Sequence, residues 1–481
     1  METLAKLLTG VDYTGAADFG EIKIKGVATD SRRVKEGDLF ICIRGTNSDG
    51  HRYALEAQML GAAAVVAEKS TESGLPTVIV TNSRQAYSKI CQNFFKNPNL
   101  SLKIVTVVGT NGKTTTSYIA EHLLKSAGYK TGVIGTIGYK ILDTAYEADL
   151  TTPDSFVLNR LLAKMVQAGV EIVIMEVSAH AIAQDRLFGI KSDISIFTNL
   201  SQDHLDYFGT FEAYSDTKLS FFTNGCTKSA IVNTDDGLGG KIFKSVKMPI
   251  ISYGIDEPSD VFAIDIRRTD KGSSFVINLF DEIYEMSTPL YGKHNVYNVL
   301  AAVTLAKLLK VPTPLIAESL QKLPRISGRF NIFLYKNAKI VVDFAHTPDG
   351  LRNLLIASRP LAKGKLVLVF GCGGNRDAGK RRIMGDIASR LADTVIVTED
   401  NSRNEETRDI IAEIMKGIKS VVNVFKIENR REAIRYAAGL LGDGDLLVIA
   451  GKGAEEYIEK KGRRVKFSDI AEVTALTRGD K

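Results

Sequence analysis

The chain has no apolar run of roughly 18 residues, the length a helix needs to cross a bilayer, so no membrane-spanning helix is expected. The opening stretch Met1–Gly15 has no signal-peptide core and no small-residue cleavage site. The cytoplasm is the expected compartment. Cysteine is scarce: Cys42, Cys91, Cys226 and Cys372 lie far apart and form no CxxC pair. That spacing excludes a zinc-ribbon site and a disulfide framework. Internal repeats, low-complexity segments and coiled-coil heptads are absent. So is a strong charge bias, since 62 basic and 56 acidic side chains leave a formal net charge of +6. This excess is too mild to imply nucleic acid and suits anionic small substrates such as nucleotides. The densest basic run, Lys460-Lys461-Gly462-Arg463-Arg464, has glycine at its centre and reads as a solvated hairpin turn. A monomer is expected.

What is present is a long α/β pattern. A chain of 481 residues is too long for one core and implies two to four domains. The first block, residues 1–100, has apolar runs at Asp38–Ile43, Ala62–Ala67 and Thr77–Val80 between helical patterns, and ends at the turn cluster Lys96-Asn97-Pro98-Asn99. The second block, residues 101–328, has continuous apolar strands at Ile104–Val108, Thr131–Ile134, Glu171–Val177 and Ile194–Thr198. Such strands, separated by helices, predict a mostly parallel sheet covered on both faces. The third block, residues 329–481, repeats the pattern at Lys339–Phe344, Lys365–Phe370, Thr394–Thr398 and Asp445–Ile449. It reads as a second doubly wound, Rossmann-like domain.

Between the strand Ile104–Val108 and the helix predicted over Thr114–Ser126 stands Gly109-Thr110-Asn111-Gly112-Lys113-Thr114-Thr115. Glycines let backbone N–H groups approach phosphate oxygens, and a helix N-terminus favours negative charge. Lys113 can bridge the β- and γ-phosphates of a nucleotide and Thr114 can ligate Mg²⁺. The general phosphate-loop spacing would put a further glycine where Val107 stands, so only its second half is met.

Glu176 closes the strand run Ile172–Met175, where a Mg²⁺ ligand beside a phosphate loop is needed. His204 follows another strand, flanked by Asp203 and Asp206, and could reach metal or phosphate or serve structure alone. Lys218, within Tyr214–Lys218, reads from its pattern as a helix-surface lysine.

Taken together these residues resemble the Mur ligase superfamily, whose phosphate loop reads G-T-N-G-K-T, as Gly109–Thr114 does. The resemblance spans nearly the whole chain. It includes Asp30-Ser31-Arg32, Thr151-Thr152-Pro153, Glu176–His180, Asp203–Asp206, Gly292–Asn298, Gly328-Arg329-Phe330, Asp343–Pro348, Gly371–Asp377 and Gly451–Glu455. It is nearest to the branch that adds a third amino acid to UDP-N-acetylmuramoyl-L-alanyl-D-glutamate.

The resemblance implies three domains: a small N-terminal α/β domain for the UDP-sugar, a central ATPase-like doubly wound domain, and a C-terminal Rossmann-like domain for the incoming amino acid. On that basis Ser31 and the Thr46-Asn47-Ser48 turn hold the uridine end. Thr151, Thr152, Ser178, Gln184 and Arg186 hold the muramoyl-peptide. Asn295, Asn298, Arg329 and Asp343 surround adenine and ribose, and His346 helps join the third domain to the nucleotide. The family's matching lysine is carbamylated by CO₂, which replaces the surface reading of Lys218. With Thr114, Glu176 and His204 it would complete a hard-ligand set for Mg²⁺. The expected catalytic group is therefore Lys113, Glu176, Arg186, His204 and Lys218.

A carboxylate does not react with an amine at neutral pH, because its leaving group would be oxide. The implied reaction transfers the γ-phosphoryl of ATP to the D-glutamate carboxylate, and the amine of a diamino acid then displaces phosphate. Water must be kept from that acyl phosphate, so hinge closure is expected. In the third domain Asp400-Asn401-Ser402-Arg403 resembles the D-N-P-R of members that add meso-diaminopimelate, with serine for proline. An Arg403 guanidinium can fork onto the distal carboxylate that L-lysine lacks. Arg376 could hold another carboxylate, and Gly451 and Glu455 lie where an ammonium would be accepted. Ala454 stands where G-K-G-H-E has histidine. The alternatives are L-lysine or another diamino acid, such as lanthionine or LL-diaminopimelate. More remote are a D-Ala-D-Ala-adding or folylpolyglutamate ligase, which the Asp30–Arg32 and Asp400–Arg403 segments oppose, and a non-catalytic nucleotide-binding scaffold, which Lys113, Glu176, His204 and Lys218 oppose.

Overall fold

Short, fully buried strands of Val, Ile, Leu and Ala alternate with amphipathic helices along most of the chain, which gives an α/β protein. The structure is a computed structural model that describes residues 1–14, 19–45, 48–419 and 423–479. It divides into two compact units, each assembled from segments distant in sequence.

The first unit comprises residues 1–106, 129–195 and 220–229. One of its sheets is ordered Tyr13–Thr14, Thr77–Val80, Ala64–Ala67, Asp38–Ile41, Gly26–Ala28, parallel except at the first edge. Its two faces are covered by separate apolar cores, one holding Leu4, Leu7, Leu39, Ile41 and Ile90, the other Phe40, Val65, Ala54 and Ala57. Burial on both faces explains why these runs are continuous rather than alternating. Further along, Ile172–Val177 runs parallel to Thr131–Ile134, which turns back antiparallel through Tyr139–Ile141 and Thr144–Tyr146. The helix Ser155–Gln167 beside them starts where Asp154 accepts from the backbone N–H groups of Phe156 and Val157.

The second unit comprises residues 107–128, 196–219 and 230–481. A parallel pair, Ala230–Asn233 and Ile250–Gly254, continues into Val261–Thr269 and then an antiparallel meander, Gly272–Leu279 and Glu282–Thr288. A six-stranded sheet follows in the order Asn331–Tyr335, Ala338–Asp343, Leu446–Ala450, Leu366–Phe370, Thr394–Val397, Asn423–Lys426. Only the first strand is antiparallel. The expected strands lie within a residue or two of those observed. The last parallel strand in sequence, Leu446–Ala450, inserts between the first two, so the strand order reverses there. In open α/β sheets ligands bind outside the carboxyl ends at such a switch point. Phe370 is wholly buried at one of these ends; truncation to alanine is expected to cost about 3–5 kcal/mol.

The basic run at 460–464 is a hairpin turn, as read. Tyr457–Lys460 pairs with Arg463–Lys466, and Lys461 and Gly462 take positive φ of 48° and 73°. Among the described residues no helix is long and apolar enough to cross a membrane.

Candidate active site

In the second unit, the chain leaves Val108 and turns through Gly109–Gly112 into the helix Lys113–Ser126. The two glycines are sterically required. A Cβ on Gly109 would stand 1.9 Å from Thr198 Oγ1, and one on Gly112, whose φ is +84°, 2.2 Å from Asn298 Oδ1. The loop is tied to the segment after the strand Ile194–Phe197. Thr110 N donates to Asn199 O at 2.8 Å, Asn111 N to Asn199 Oδ1 at 2.9 Å, and Thr198 Oγ1 to Asn111 O at 2.7 Å. A second clamp comes from Thr347, which caps the helix Pro348–Ser358 and donates to Asn111 Oδ1 at 3.2 Å, while Asn111 Nδ2 donates to Asp349 Oδ2 at 3.2 Å.

Two lysine side chains converge on one carbonyl of this loop. Lys113 Nζ donates to Gly109 O at 3.0 Å and to Thr110 O at 2.8 Å; Lys218 Nζ donates to Gly109 O at 2.8 Å. Lys218 is 1% exposed, which corrects the surface reading. It shares a helix face with Tyr214, Phe221 and Phe222, all buried, four before and three and four after it. That apolar spacing is the signal the charge obscured. Burial first, and the Lys113 ammonium second, push Lys218 well below the usual lysine range, against the carboxylates of Asp203 and Asp236.

Behind the loop, Asn298 Nδ2 donates to Asn295 Oδ1 at 3.0 Å and Thr116 Oγ1 donates to Asn298 Oδ1 at 3.3 Å. Arg329 Nη2 donates to Thr114 Oγ1 at 3.0 Å, and the guanidinium lies 4.5 Å from the Phe344 ring centroid. Asp343 accepts from Phe330 N at 2.7 Å and Ala345 N at 2.8 Å; burial raises its carboxyl, with Arg329 opposing.

Asp203 is a hub that the sequence reading passed over. Its carboxylate is 3.1 Å from Lys380 Nζ, 3.4 Å from His204 Nε2 and 3.6 Å from His346 Nε2. Burial would raise this carboxyl, but the Lys380 ammonium and then His346 hold it well below the usual range. Lys380 has no motif signal beyond its place in a helix.

A cavity of about 150 Å³ opens at the carboxyl ends of the six-stranded sheet. It gathers the expected Arg376, Asp400, Asn401, Arg403, Gly451 and Glu455 with His204 and His346. Glu455 Oε2 accepts from Lys452 Nζ at 2.8 Å and from Asn401 Nδ2 at 2.9 Å. Lys452, wholly buried, was another residue missed, although it sits inside the Gly451-Lys452-Gly453 run. Ser402 is buried away from this cavity, and its Oγ finds no hydrogen-bond partner among the described residues.

The first unit carries a separate cluster. Glu176 is wholly buried and accepts from Thr136 N and Thr136 Oγ1, both at 3.0 Å. Thr136 Oγ1 is 3.0 Å from Thr151 Oγ1. Thr152 Oγ1 donates to Glu176 O at 2.8 Å and accepts from Ser178 N at 3.0 Å. Arg186 donates to Thr152 O at 2.5 Å and Gln184 Oε1 at 2.8 Å. Glu176, Thr151, Thr152, Ser178, Gln184 and Arg186 are thus brought together. Elsewhere in this unit Ser31 Oγ donates to Glu56 at 2.8 Å, and Ser48 O accepts from Gly45 N at 2.8 Å. Thr46 and Asn47 lie outside the described residues.

The glycine cradle and the Lys113 ammonium suit the phosphates of a nucleotide. Among the described residues no group of three or more His, Cys, Asp or Glu side chains is arranged to hold a metal ion by itself. At the loop, the Thr114 hydroxyl is a hard oxygen donor that suits a Mg²⁺ ion held largely by phosphate and water.

Three family descriptions match the chain in order: "Mur ligase family, catalytic domain" over residues 23–109, "Mur ligase middle domain" over 107–306, and "Mur ligase, glutamate ligase domain" over 328–453. A relative from Clostridium botulinum, named UDP-N-acetylmuramoyl-L-alanyl-D-glutamate--2,6-diaminopimelate ligase, is 39% identical over 93% of this chain and 94% of its own. One of the same name from Aquifex aeolicus is 40% identical over 95% and 94%. A solved structure of a ligase of that name matches with a TM-score of 0.70 and 31% identity, covering 99% of both chains.

Proposed function

This chain belongs to the Mur ligase family, and from that premise we propose that it joins meso-2,6-diaminopimelate to UDP-N-acetylmuramoyl-L-alanyl-D-glutamate, converting ATP to ADP and phosphate in peptidoglycan synthesis. The names of its relatives support the reaction, and the cavity supports the amino acid. The observation that carries the reading is the composition of that cavity: the guanidinium groups of Arg376 and Arg403 together with the carboxylates of Asp400 and Glu455. Diaminopimelate has two carboxylates and two ammonium groups, so each charge meets its opposite.

ATP, when bound, supplies the phosphoryl group that turns the D-glutamate carboxylate into an acyl phosphate. Gly109–Thr115 hold the phosphates, with Lys113 drawn from Gly109 O to the phosphate oxygens. Asn295, Asn298, Arg329, Asp343 and His346 form the nucleoside side. Arg186 neutralises charge at the carboxylate, with Thr151, Thr152, Ser178 and Gln184 orienting the peptide, and Ser31, Thr46, Asn47 and Ser48 holding the uridine end. The donors for Mg²⁺ are Thr114, Glu176, His204 and carbamylated Lys218. Positioning and charge neutralisation supply most of the acceleration. The domains that divide this labour are residues 1–100, 101–328 and 329–481, in a cytoplasmic monomer.

The test is phosphate release by the purified protein against a panel of amino acids, with and without the UDP-muramoyl-dipeptide. Release should require both substrates and be fastest with meso-diaminopimelate. Preference for L-lysine would overturn the amino-acid assignment, and release without the dipeptide would overturn the ligase.

A further inference from the structure

The Asp400–Arg403 loop leaves the strand Thr394–Val397 without the proline that would stiffen it, and Arg403 sits at a positive φ of 51°. A non-glycine residue holds that conformation only where its surroundings impose it. Here a segment more than fifty residues downstream does so. Arg403 N donates to Glu459 O at 3.0 Å, Lys461 N donates to Arg403 O at 2.6 Å, and Glu459 N donates to Asn401 Oδ1 at 2.9 Å. The hairpin strand Tyr457–Lys460 thus serves as a splint for the loop. Lys460 adds an ion pair to Glu399 at 2.6 Å, just before the loop.

The splint also reaches the side chain. Glu459 Oε2 lies 3.5 Å from Arg403 Nε, and Gly374 O accepts from Arg403 Nη1 at 2.8 Å. The two contacts hold the guanidinium from different sides, at Nε and at Nη1. Nη2 makes no hydrogen bond within the protein among the described residues, and Arg403 lines the cavity. An arginine left to its own rotamers would lose that freedom on binding a carboxylate; one already restrained loses less.

We propose that Glu459 is a positioning residue for amino-acid recognition: it braces Arg403 at Nε so that Nη2 is presented to a carboxylate of the incoming amino acid. The inference rests on the cavity being the amino-acid site. Two effects compete. Bracing lowers the cost of binding, whereas the negative charge of Glu459 repels a substrate carboxylate at longer range. Glu459 stands 3.5 Å from Arg403 and does not line the cavity, so bracing wins.

The test is a double-mutant cycle of Glu459→Gln and Arg403→Ala in the full-length enzyme. Glutamine keeps the backbone bonds to Asn401 and Arg403 and removes only the charge. Glu459→Gln should raise KM for the amino acid about two- to fivefold, in line with a partly exposed pair. It should leave kcat, KM for ATP and the melting temperature unchanged. In the Arg403→Ala background it should change nothing. An equal rise in both backgrounds, no change in either, or a fall in KM from relieved repulsion would each overturn the proposal. Wild-type kinetics on several diamino acids come first, so a preference for L-lysine overturns the substrate reading alone. The cycle is then read on the preferred amino acid and still decides the role of Glu459.

Discussion

The phosphate loop and the Asp400–Arg403 loop both leave the carboxyl end of a buried strand, yet they are held by different means. Gly109–Gly112 is wedged against Thr198 and Asn298, so closely that a single added carbon would overlap each of them. Asp400–Arg403 is laced to a hairpin by backbone bonds to Glu459 and Lys461 and by a buried lysine, Lys452, beneath Asn401. The first has no room for a side chain at either glycine. The second can change a residue as long as the lacing survives, as Ser402 does. A loop fixed by sterics suits an invariant ligand such as a triphosphate, and a laced loop suits a ligand that differs between relatives.

The largest loss is expected at Lys113, in the phosphate loop. Lys113→Ala should lower kcat by about 1000-fold or more, since on the proposed reading it removes the charge that neutralises the transferring phosphoryl. Circular dichroism should show an unchanged fold. Retention of more than a few per cent of activity would remove Lys113 from the phosphate site.

Lys218→Ala should come close to that loss, and a short carboxylate such as acetate should restore part of it. Carbamylation needs the neutral amine, and burial beside Lys113 lowers the pH at which that form appears. Activity at limiting CO₂ should therefore fall as pH drops through the depressed pKa, as the amine takes up a proton, and recover on adding bicarbonate. A pH profile indifferent to bicarbonate would count against the carbamate.

Arg403→Ala tests the laced loop. It should cost diaminopimelate turnover about 100-fold or more, because it removes the partner of a charged group, and cost any L-lysine turnover much less. Equal losses with both would mean that Arg403 only shapes the loop. Smallest of all, Ser402→Ala removes a buried hydroxyl with no partner and should raise stability by about 1 kcal/mol, read as a higher denaturant midpoint. A drop of that size would mean that the hydroxyl is satisfied in solution.

The two loops also differ in how much of them could be read from the chain. Gly109–Thr115 was legible because its determinants are contiguous: a strand, two glycines and a lysine in one window. The parallel strands were legible because burial on both faces makes them unbroken apolar runs. The meander over 261–288 was not, since its outer face carries charges such as Asp265, Arg267 and Glu285 that interrupt those runs. Lys218 deceived a pattern reading because its charge outweighed the apolar neighbours on its helix face. Asp203 and Lys380 meet across 177 positions, and Glu459 and Arg403 across 56, distances over which local pattern carries no information.

The lacing of Arg403 has a practical meaning for anyone who wishes to move this selectivity to another ligase. Transplanting Asp400–Arg403 alone would carry the guanidinium but leave the amide and carbonyl of Arg403 without the Glu459 carbonyl and Lys461 amide that pin them. The transferable module is two-stranded, the loop and the hairpin Tyr457–Lys466 moved as one, and a donor lacking either half would deliver the charge without its aim.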